Sequence, residues 1–351
     1  MRSHKRPSGL KSFLFILALV AILAVPAICL MFTPLAPGAG AAMPGAIVAT
    51  LAVLIGGVRR GLIVTVWAVI ALGIAPAGLQ FSALGVFFIV CIGASTGFAA
   101  YRGMDMPVLV LNSMVALTML NPPSLTSSEV ADGVHANPKY VVTLMAVTAL
   151  GAFWSFATMC LLRTKLPHLP LVPLHREPAI VYGATLAFLT GIVGAVALTW
   201  FQYSLVGWTI LTIYMVIRPT FKGTDVTHGM RKKAAHRAVG TVGGVIIAAA
   251  LAAVIHNPNA LVIAGIVFLV VAVYLQLVGV PYWEFVILLT PAMVFMDGSG
   301  QRVDRVAVIR ILCTFVGIAL AMGALEFHRR YTSPWLEQSK FREARQGASS
   351  S

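Results

Sequence analysis

Charged residues are scarce in this chain. Only 10% of its 351 residues are Asp, Glu, Lys or Arg, whereas 59% are hydrophobic and the mean hydropathy is +0.92. These values exclude an ordinary soluble domain. The longest gaps between apolar runs, 121–139 and 218–237, are also too short to hold a soluble catalytic domain. The protein is therefore expected to work inside a membrane.

Cysteine is scarce too, and it shows no pattern. The four cysteines, Cys29, Cys91, Cys160 and Cys313, each lie alone in a different apolar run, without metal-ligand spacing. The eight histidines form no ligand pattern either. No cluster of His, Asp or Ser with catalytic geometry is recognisable in the apolar runs. The sequence predicts no metal, no cofactor, no catalytic residue and no enzyme.

Long apolar runs fill most of the chain. Each is close to the roughly 20 residues that cross a bilayer as a helix. The sequence therefore predicts an all-α, polytopic membrane protein with about twelve transmembrane helices in two six-helix halves. The runs are 13–32, 44–58, 61–76, 82–100, 106–120, 140–162, 179–199, 203–217, 238–255, 259–278, 282–296 and 305–327. The run at 13–32 is longer than a signal-peptide core, so we expect it to be retained; cleavage would leave eleven spans.

Basic residues alternate between the gaps. Of 25 Lys and Arg residues, 21 fall in every second gap and in the two tails, and the opposite gaps hold only Lys139, Arg302 and Arg305. The positive-inside rule then places both termini in the cytoplasm. The net charge of +14 lies at helix ends, where anionic lipid explains it, so nucleic acid is not an expected partner.

A proline-rich segment divides the chain. Residues 163–178 contain four prolines among basic residues, which predicts a cytoplasmic linker. The predicted units are the first half at 1–162, the second half at 179–328 and a basic cytoplasmic tail at 329–351. Because six is even, the two halves would share one orientation, as in the parallel repeats of several transporters.

A short motif occurs twice in the second half. It reads Arg-x3-Thr-x2-Gly and places three residues on one helical face. Arg237, Thr241 and Gly244 form the first copy, and Arg310, Thr314 and Gly317 form the second. We expect helix packing at Gly240, Thr241, Gly244, Thr314 and Gly317. The first half contains two weaker matches to this motif: Arg59 or Arg60 with Thr65, and Lys139 with Thr143 and Ala146. Chance is the alternative explanation for the repeat.

The second half resembles the fusaric-acid-resistance and aromatic-acid-exporter family of inner-membrane proteins. The resemblance covers about 178–325 and is carried by Trp208 in a span ending at Arg218-Pro219, a basic loop, Arg237-Ala-Val-Gly-Thr-Val-Gly-Gly244, and the motif at Arg310. It implies proton-driven export of hydrophobic organic acids from the inner membrane, often beside a periplasmic membrane-fusion adaptor protein. Plant malate channels are similar more distantly, so a passive channel is an alternative function.

Charges within the apolar runs are the first candidates for a site, because they are expensive there. Arg310 and Arg237 can each bind a carboxylate through two N–H groups. Structural alternatives are pairing of Arg310 with Asp304 or Asp297, and snorkelling of either arginine to the interface.

Glu284 is the only carboxylate clearly within a span. A carboxyl group in a low-dielectric site can carry a proton near neutral pH, so Glu284 is the candidate for proton coupling; the alternative is an interfacial residue between aromatic neighbours. Trp208 and Tyr214 are placed to stack on an aromatic substrate, or simply to pack.

The leading functional hypothesis is efflux of small aromatic organic acids, with the lipid bilayer and a small organic anion as partners. A passive organic-anion channel and a non-transporting membrane scaffold are the alternatives, and a homo-oligomer is left open.

Overall fold

The computed structural model describes residues 9–132, 134–163, 171–200, 206–217, 226–278, 280–297, 303–328 and 330. Its ordered elements in these residues are all helical, which confirms the all-α prediction. The α-helices are α1 (Gly9–Leu30), α2 (Ala42–Ile74), α3 (Ser82–Tyr101), α4 (Asp105–Leu120), α5 (Ser127–Asp132), α6 (Pro138–Leu162), α7 (Arg176–Trp200), α8 (Gly207–Val216), α9 (Val226–Val254), α10 (Pro258–Val278), α11 (Tyr282–Asp297) and α12 (Val303–Phe327).

Helix α2 contains two of the predicted runs, because the chain reverses within it. Gly57 has φ +71°, a left-handed conformation that glycine adopts without steric cost. Beyond it, a side chain at Gly61 would lie 3.1 Å from the Cα of Val53. In a straight helix these residues would be about 12 Å apart along the axis. The arms 42–56 and 58–74 therefore fold back on each other, and exposed Arg59 and Arg60 lie at the turn.

Two helix boundaries differ from the predicted runs. Helix α7 begins at Arg176, inside the predicted linker 163–178, because Pro178 falls in its first turn, where a missing N–H costs nothing. Helix α9 begins at Val226, well before 238, so the basic stretch around Arg231 is helical. Hydropathy marks where a helix is apolar, and it does not mark where the hydrogen-bonded backbone starts.

Length and composition identify this as a multi-pass membrane protein. Among the described residues, six helical stretches are long and apolar enough to cross a bilayer, the first of which contains both arms of α2: Ala36–Leu79, Ser82–Tyr101, Pro138–Leu162, Arg176–Trp200, Gly229–Val254 and Arg305–Phe327. Shorter apolar helices are Ala18–Leu30, Asp105–Leu120, Gly207–Val216 and Tyr282–Phe295. The count of twelve spans and the division at 163–178 stay predictions.

The largest apolar core is shared by residues from both sides of that division. Leu111 of α4 packs in one cluster with Ile210 and Tyr214 of α8. Helices α3 and α7 also approach closely, since a side chain at Gly97 would lie 2.7 Å from the Cα of Gly183. The predicted halves therefore contact each other through α3, α4, α7 and α8.

A threonine followed three residues later by a small residue is buried in five of the described helical segments. The pairs are Thr65 and Ala68, Thr96 and Ala99, Thr148 and Gly151, Thr241 and Gly244, and Thr314 and Gly317. In α6 the buried pair is not the predicted one. Lys139 and Ala146 of the predicted motif are exposed, whereas Thr148 and Gly151, five residues further along, lie against the start of α2. Only the two second-half copies carry an arginine four residues before the threonine.

Candidate anion-binding site

Helix α8 lies at the centre of the site. Nine of its ten residues are buried, although a lipid-facing helix would expose one side. Its neighbours include α4, α9 and α12: Gly207 packs on Leu117 of α4, and Thr212 meets Arg237 of α9 and Gly317 of α12. The polar side-chain groups of α8 are the hydroxyls of Thr209, Thr212 and Tyr214 and the indole N–H of Trp208. Of these, the hydroxyl of Thr212 meets Arg237.

Arg237 reaches α8 from α9, where it is 3% exposed. Its Nη1 donates to the hydroxyl of Tyr282, the first residue of α11, at 2.9 Å. Its Nε donates to Thr212 Oγ1 at 3.4 Å, and that hydroxyl donates in turn to the carbonyl of Trp208 at 2.9 Å. In the part of the chain that the structure describes, the side-chain acceptors that hold Arg237 are therefore neutral hydroxyls.

Arg310 reaches the same helix from α12 and is also 3% exposed. Its guanidinium carbon lies 4.0 Å from the centre of the Trp208 ring, which is a cation–π contact. Such a contact is worth about 2 kcal/mol when it is shielded from water. The Trp208 indole N–H is buried and finds no hydrogen-bond acceptor among the described residues. Trp208 thus binds the arginine through its ring face.

Glycines of the repeated motif bring these helices close together. A side chain at Gly317 would lie 2.8 Å from Thr212 Cβ and 2.9 Å from the carbonyl of Thr209. Gly244 is similarly close to Thr290 of α11, and Gly240 is close to Val286 and the carbonyl of Trp283. Because these positions lack a Cβ, α12 can press on α8 and α9 can press on α11.

The two arginines contact one face of α8. Trp208 and Thr212 are four residues apart, so they lie on the same side of the helix with a rise of about 6 Å between them. Burying a guanidinium group is costly, and an anion bound beside it lowers that cost. Chemically, the arrangement can bind a carboxylate beside an aromatic ring.

The structure does not bring Glu284 to this face. Glu284 is half-buried in the first turn of α11, two residues after Tyr282, so the two side chains point to opposite sides of the helix. Asp105, at the start of α4 and outside the predicted run, is the more buried carboxylate at 7% exposure. Asp105 lies one residue before the predicted run 106–120, so it was not singled out from the sequence.

Tyr214 is fully buried, but it faces away from the arginines. It lies two residues after Thr212, which is about 200° around α8, and packs in the apolar core shared with α4. Its neighbours are the hydroxyls of Thr96 and Thr190. Of the predicted substrate-binding residues, the structure thus groups Arg237, Arg310 and Trp208 and separates Tyr214 from them.

Three further side chains belong to this region, and sequence reasoning missed them. Thr212 and Tyr282 hold Arg237, and Asn112 of α4 lies in a polar cluster behind α8. Asn112 is a lone amide in an apolar run, so its cost in a membrane was a usable signal. Nothing in the sequence marked Thr212 or Tyr282, because their role depends on which helices pack together.

A surface cavity of about 470 Å³ lies elsewhere, before and around the start of α6, with Glu129, His135 and Lys139 among its lining residues. Its carboxylate is already engaged, since Glu129 Oε2 accepts from the backbone N–H groups of Leu125 and Thr126 at 2.6 and 3.2 Å. We place the candidate site at α8, because two buried arginines converge on one face of that helix. Within the described ranges, no three His, Cys, Asp or Glu residues are grouped to hold a metal ion.

A comparison with known families covers the part of the chain that forms this site. The fold and the site define a multi-pass membrane protein with a cationic centre. A family model described as fusaric acid resistance protein-like matches residues 192–324, which contain α8 to α11 and most of α12. This match confirms the resemblance seen in the sequence, over a little more than a third of the chain, and it points to membrane transport. No curated protein matches the chain, and no solved structure matches it.

Proposed function

We propose that this protein exports small aromatic organic acids across the inner membrane, with both termini in the cytoplasm and a proton gradient as the driving force. The observation that carries the proposal is the meeting of Arg237 and Arg310 on one face of the central helix α8. Both lie within the part of the chain that resembles the fusaric acid resistance protein-like family.

The chemistry of the site suits an aromatic carboxylate. A carboxylate fits the planar fork of a guanidinium through two parallel N–H bonds, and neutralising the cation lowers the cost of its burial. The Trp208 ring beside Arg310 offers an apolar surface for an aromatic ring. A substrate with both groups would satisfy the charge and the indole surface together.

Proton coupling is assigned in this proposal to Glu284. It lies two residues from Tyr282, whose hydroxyl accepts from Arg237. A change of charge at Glu284 would act on the first turn of α11 and so on the position of that hydroxyl. Protonation would in this way reach the anion site without a direct contact between Glu284 and the arginine.

A passive anion channel is the second candidate function. It is favoured by the acceptors of Arg237, which are the hydroxyls of Thr212 and Tyr282 rather than a carboxylate. In a channel, anion passage would follow concentration and voltage alone. The family resemblance also implies a periplasmic adaptor protein, which a channel would not require.

Transport by purified protein in proteoliposomes tests the proposal. Radiolabelled benzoate serves as the probe, with and without an imposed pH gradient. An exporter accumulates benzoate against its concentration when the gradient is present. Equilibration that ignores the gradient would support the channel, and vesicles no more permeable than protein-free ones would leave the scaffold alternative standing and refute transport.

A further inference from the structure

The first turn of α8 is the part of that helix that meets Arg310. The helix begins at Gly207, and Gly207, Trp208 and Thr209 are all buried. The N-cap residue, Val206, makes no side-chain hydrogen bond to the N–H groups of this turn. The N-terminus of a helix carries a partial positive charge, because the peptide dipoles are aligned along the axis. This end of α8 therefore favours an anion, as helix N-termini in general do.

The indole N–H of Trp208 is a second donor in the same turn. Trp208 is 3% exposed, and its Nε1 is buried without an acceptor among the residues that the structure describes. An indole nitrogen can donate a hydrogen bond but cannot accept one. A buried donor that is left unpaired costs free energy, and an acceptor brought by a ligand recovers it. Trp208 thus favours a ligand for a reason that is separate from its contact with Arg310.

The surroundings of Trp208 indicate which kind of acceptor fits. The guanidinium carbon of Arg310 lies 4.0 Å from the centre of the Trp208 ring, so a positive charge and the N–H are held by one indole. A carboxylate has two oxygens with about four lone-pair positions, so it can accept from a guanidinium and from an indole N–H at once. The other buried side chains in this cluster are mainly apolar and suit the uncharged part of an organic acid: Leu211, Ala248, Val294, Phe295, Val306 and Cys313.

We propose that the Trp208 indole N–H donates a hydrogen bond to the carboxylate of the bound substrate, beside Arg310 and at the N-terminus of α8. The carboxylate then has three favourable partners, which are a guanidinium, a neutral N–H group and the helix end. Trp208 becomes a binding residue for the acid group, rather than only a surface for the aromatic ring. The inference rests on the proposed function, because it assumes that Arg310 binds the carboxylate of the substrate.

A sulfur analogue of tryptophan, 3-benzothienylalanine, tests this hydrogen bond when it replaces Trp208. The analogue keeps the bicyclic ring and replaces the N–H by a sulfur atom that cannot donate. Trp208→Phe also removes the N–H, but it shrinks the ring and leaves space in the apolar cluster. Trp67→Phe is the matched control, since Trp67 is 43% exposed on α2 and lies outside the site. Dissociation constants for benzoate and thermal unfolding are measured on monodisperse purified protein.

The analogue protein should bind benzoate about tenfold more weakly, because a hydrogen bond to a charged acceptor is one of the stronger kinds. Its unfolding temperature should stay close to that of the native chain, and Trp67→Phe should leave the affinity unchanged. Native protein labelled with ¹⁵N at the indole nitrogens gives a second measurement. The signal that is missing from the analogue protein belongs to Trp208, and benzoate should shift its proton downfield. An unchanged affinity, or a Trp208 signal that saturating benzoate does not move, overturns the proposal.

A double-mutant cycle shows whether Trp208 and Arg310 hold the same carboxylate. The losses from Arg310→Lys and from the analogue should then be non-additive, whereas additive losses would separate the N–H from the carboxylate and overturn the proposal. The outcomes also distinguish this inference from the proposed function. If Arg237→Lys and Arg310→Lys bind benzoate as the native chain does, the proposed function fails. If these lysine variants bind weakly while the analogue protein binds normally, only the role of the Trp208 N–H is overturned.

Discussion

Replacement of Arg237 by lysine is the sharpest perturbation that the site allows. The substitution keeps the positive charge and removes the planar fork. The bond from Nη1 to Tyr282 at 2.9 Å is charge-assisted and worth about 1.5–3 kcal/mol, whereas the bond from Nε to Thr212 at 3.4 Å contributes little. A lysine ammonium can keep one such bond, but it cannot also offer two parallel N–H groups to a carboxylate.

The expected loss of carboxylate binding follows from that difference. Losing one of two parallel bonds, with the charge kept, should cost about 1.4 kcal/mol, which is about tenfold in the dissociation constant for benzoate. Arg237→Ala also removes the charge and should weaken binding further. Affinity is measured with radiolabelled benzoate on purified protein, and transport is measured in proteoliposomes.

Arg231 supplies the matched control. It lies on the same helix, α9, but it is exposed, so Arg231→Lys should change neither binding nor unfolding temperature. The reasoning would be refuted if Arg237→Lys lowered the unfolding temperature while binding benzoate as tightly as the native chain. In that case the guanidinium would be a structural link between α8, α9 and α11.

Three further predictions concern packing, coupling and topology. Gly317→Ala should lower the free energy of unfolding by about 1–3 kcal/mol, because the added Cβ would lie 2.8–2.9 Å from atoms of α8. Gly323→Ala is the control and should be neutral, because nothing lies within 4 Å of its added Cβ. Denaturation of both variants measures the difference. Glu284→Gln should abolish the dependence of benzoate transport on the pH gradient and spare counterflow exchange; unchanged gradient-driven transport would contradict the coupling role. Reporter fusions should be cytoplasmic at Arg176 and external at Asn121, and the reverse pattern would contradict the predicted topology.

Much of the fold was predictable because its main signal is local. Each predicted apolar run has a helical counterpart, since burial in a bilayer requires both apolar side chains and internal backbone hydrogen bonds. What the runs could not show was the reversal at Gly57, which depends on one residue's backbone conformation, and the early start of α9 at Val226. Both are features of the backbone rather than of hydropathy.

The candidate site was predictable only in part, because half of it depends on long-range packing. Arg237 and Arg310 stood out because a charge in an apolar run is costly. Their meeting on α8 was not predictable, since it depends on the contacts of Gly317 with Thr209 and Thr212. Tyr214 was grouped with Trp208 by proximity in sequence, but a separation of six positions turns it to the other side of the helix.

The stacking of Arg310 on Trp208 also gives the protein its own optical reporter. Of the five tryptophans in the described ranges, Trp208 alone is buried, whereas Trp67, Trp154, Trp200 and Trp283 are exposed on the outside of the fold. The emission of an indole responds to the polarity and charge around it. An anion that paired with the guanidinium over this ring would therefore change the fluorescence of one distinguishable tryptophan, so occupancy of the site could be followed in unlabelled protein.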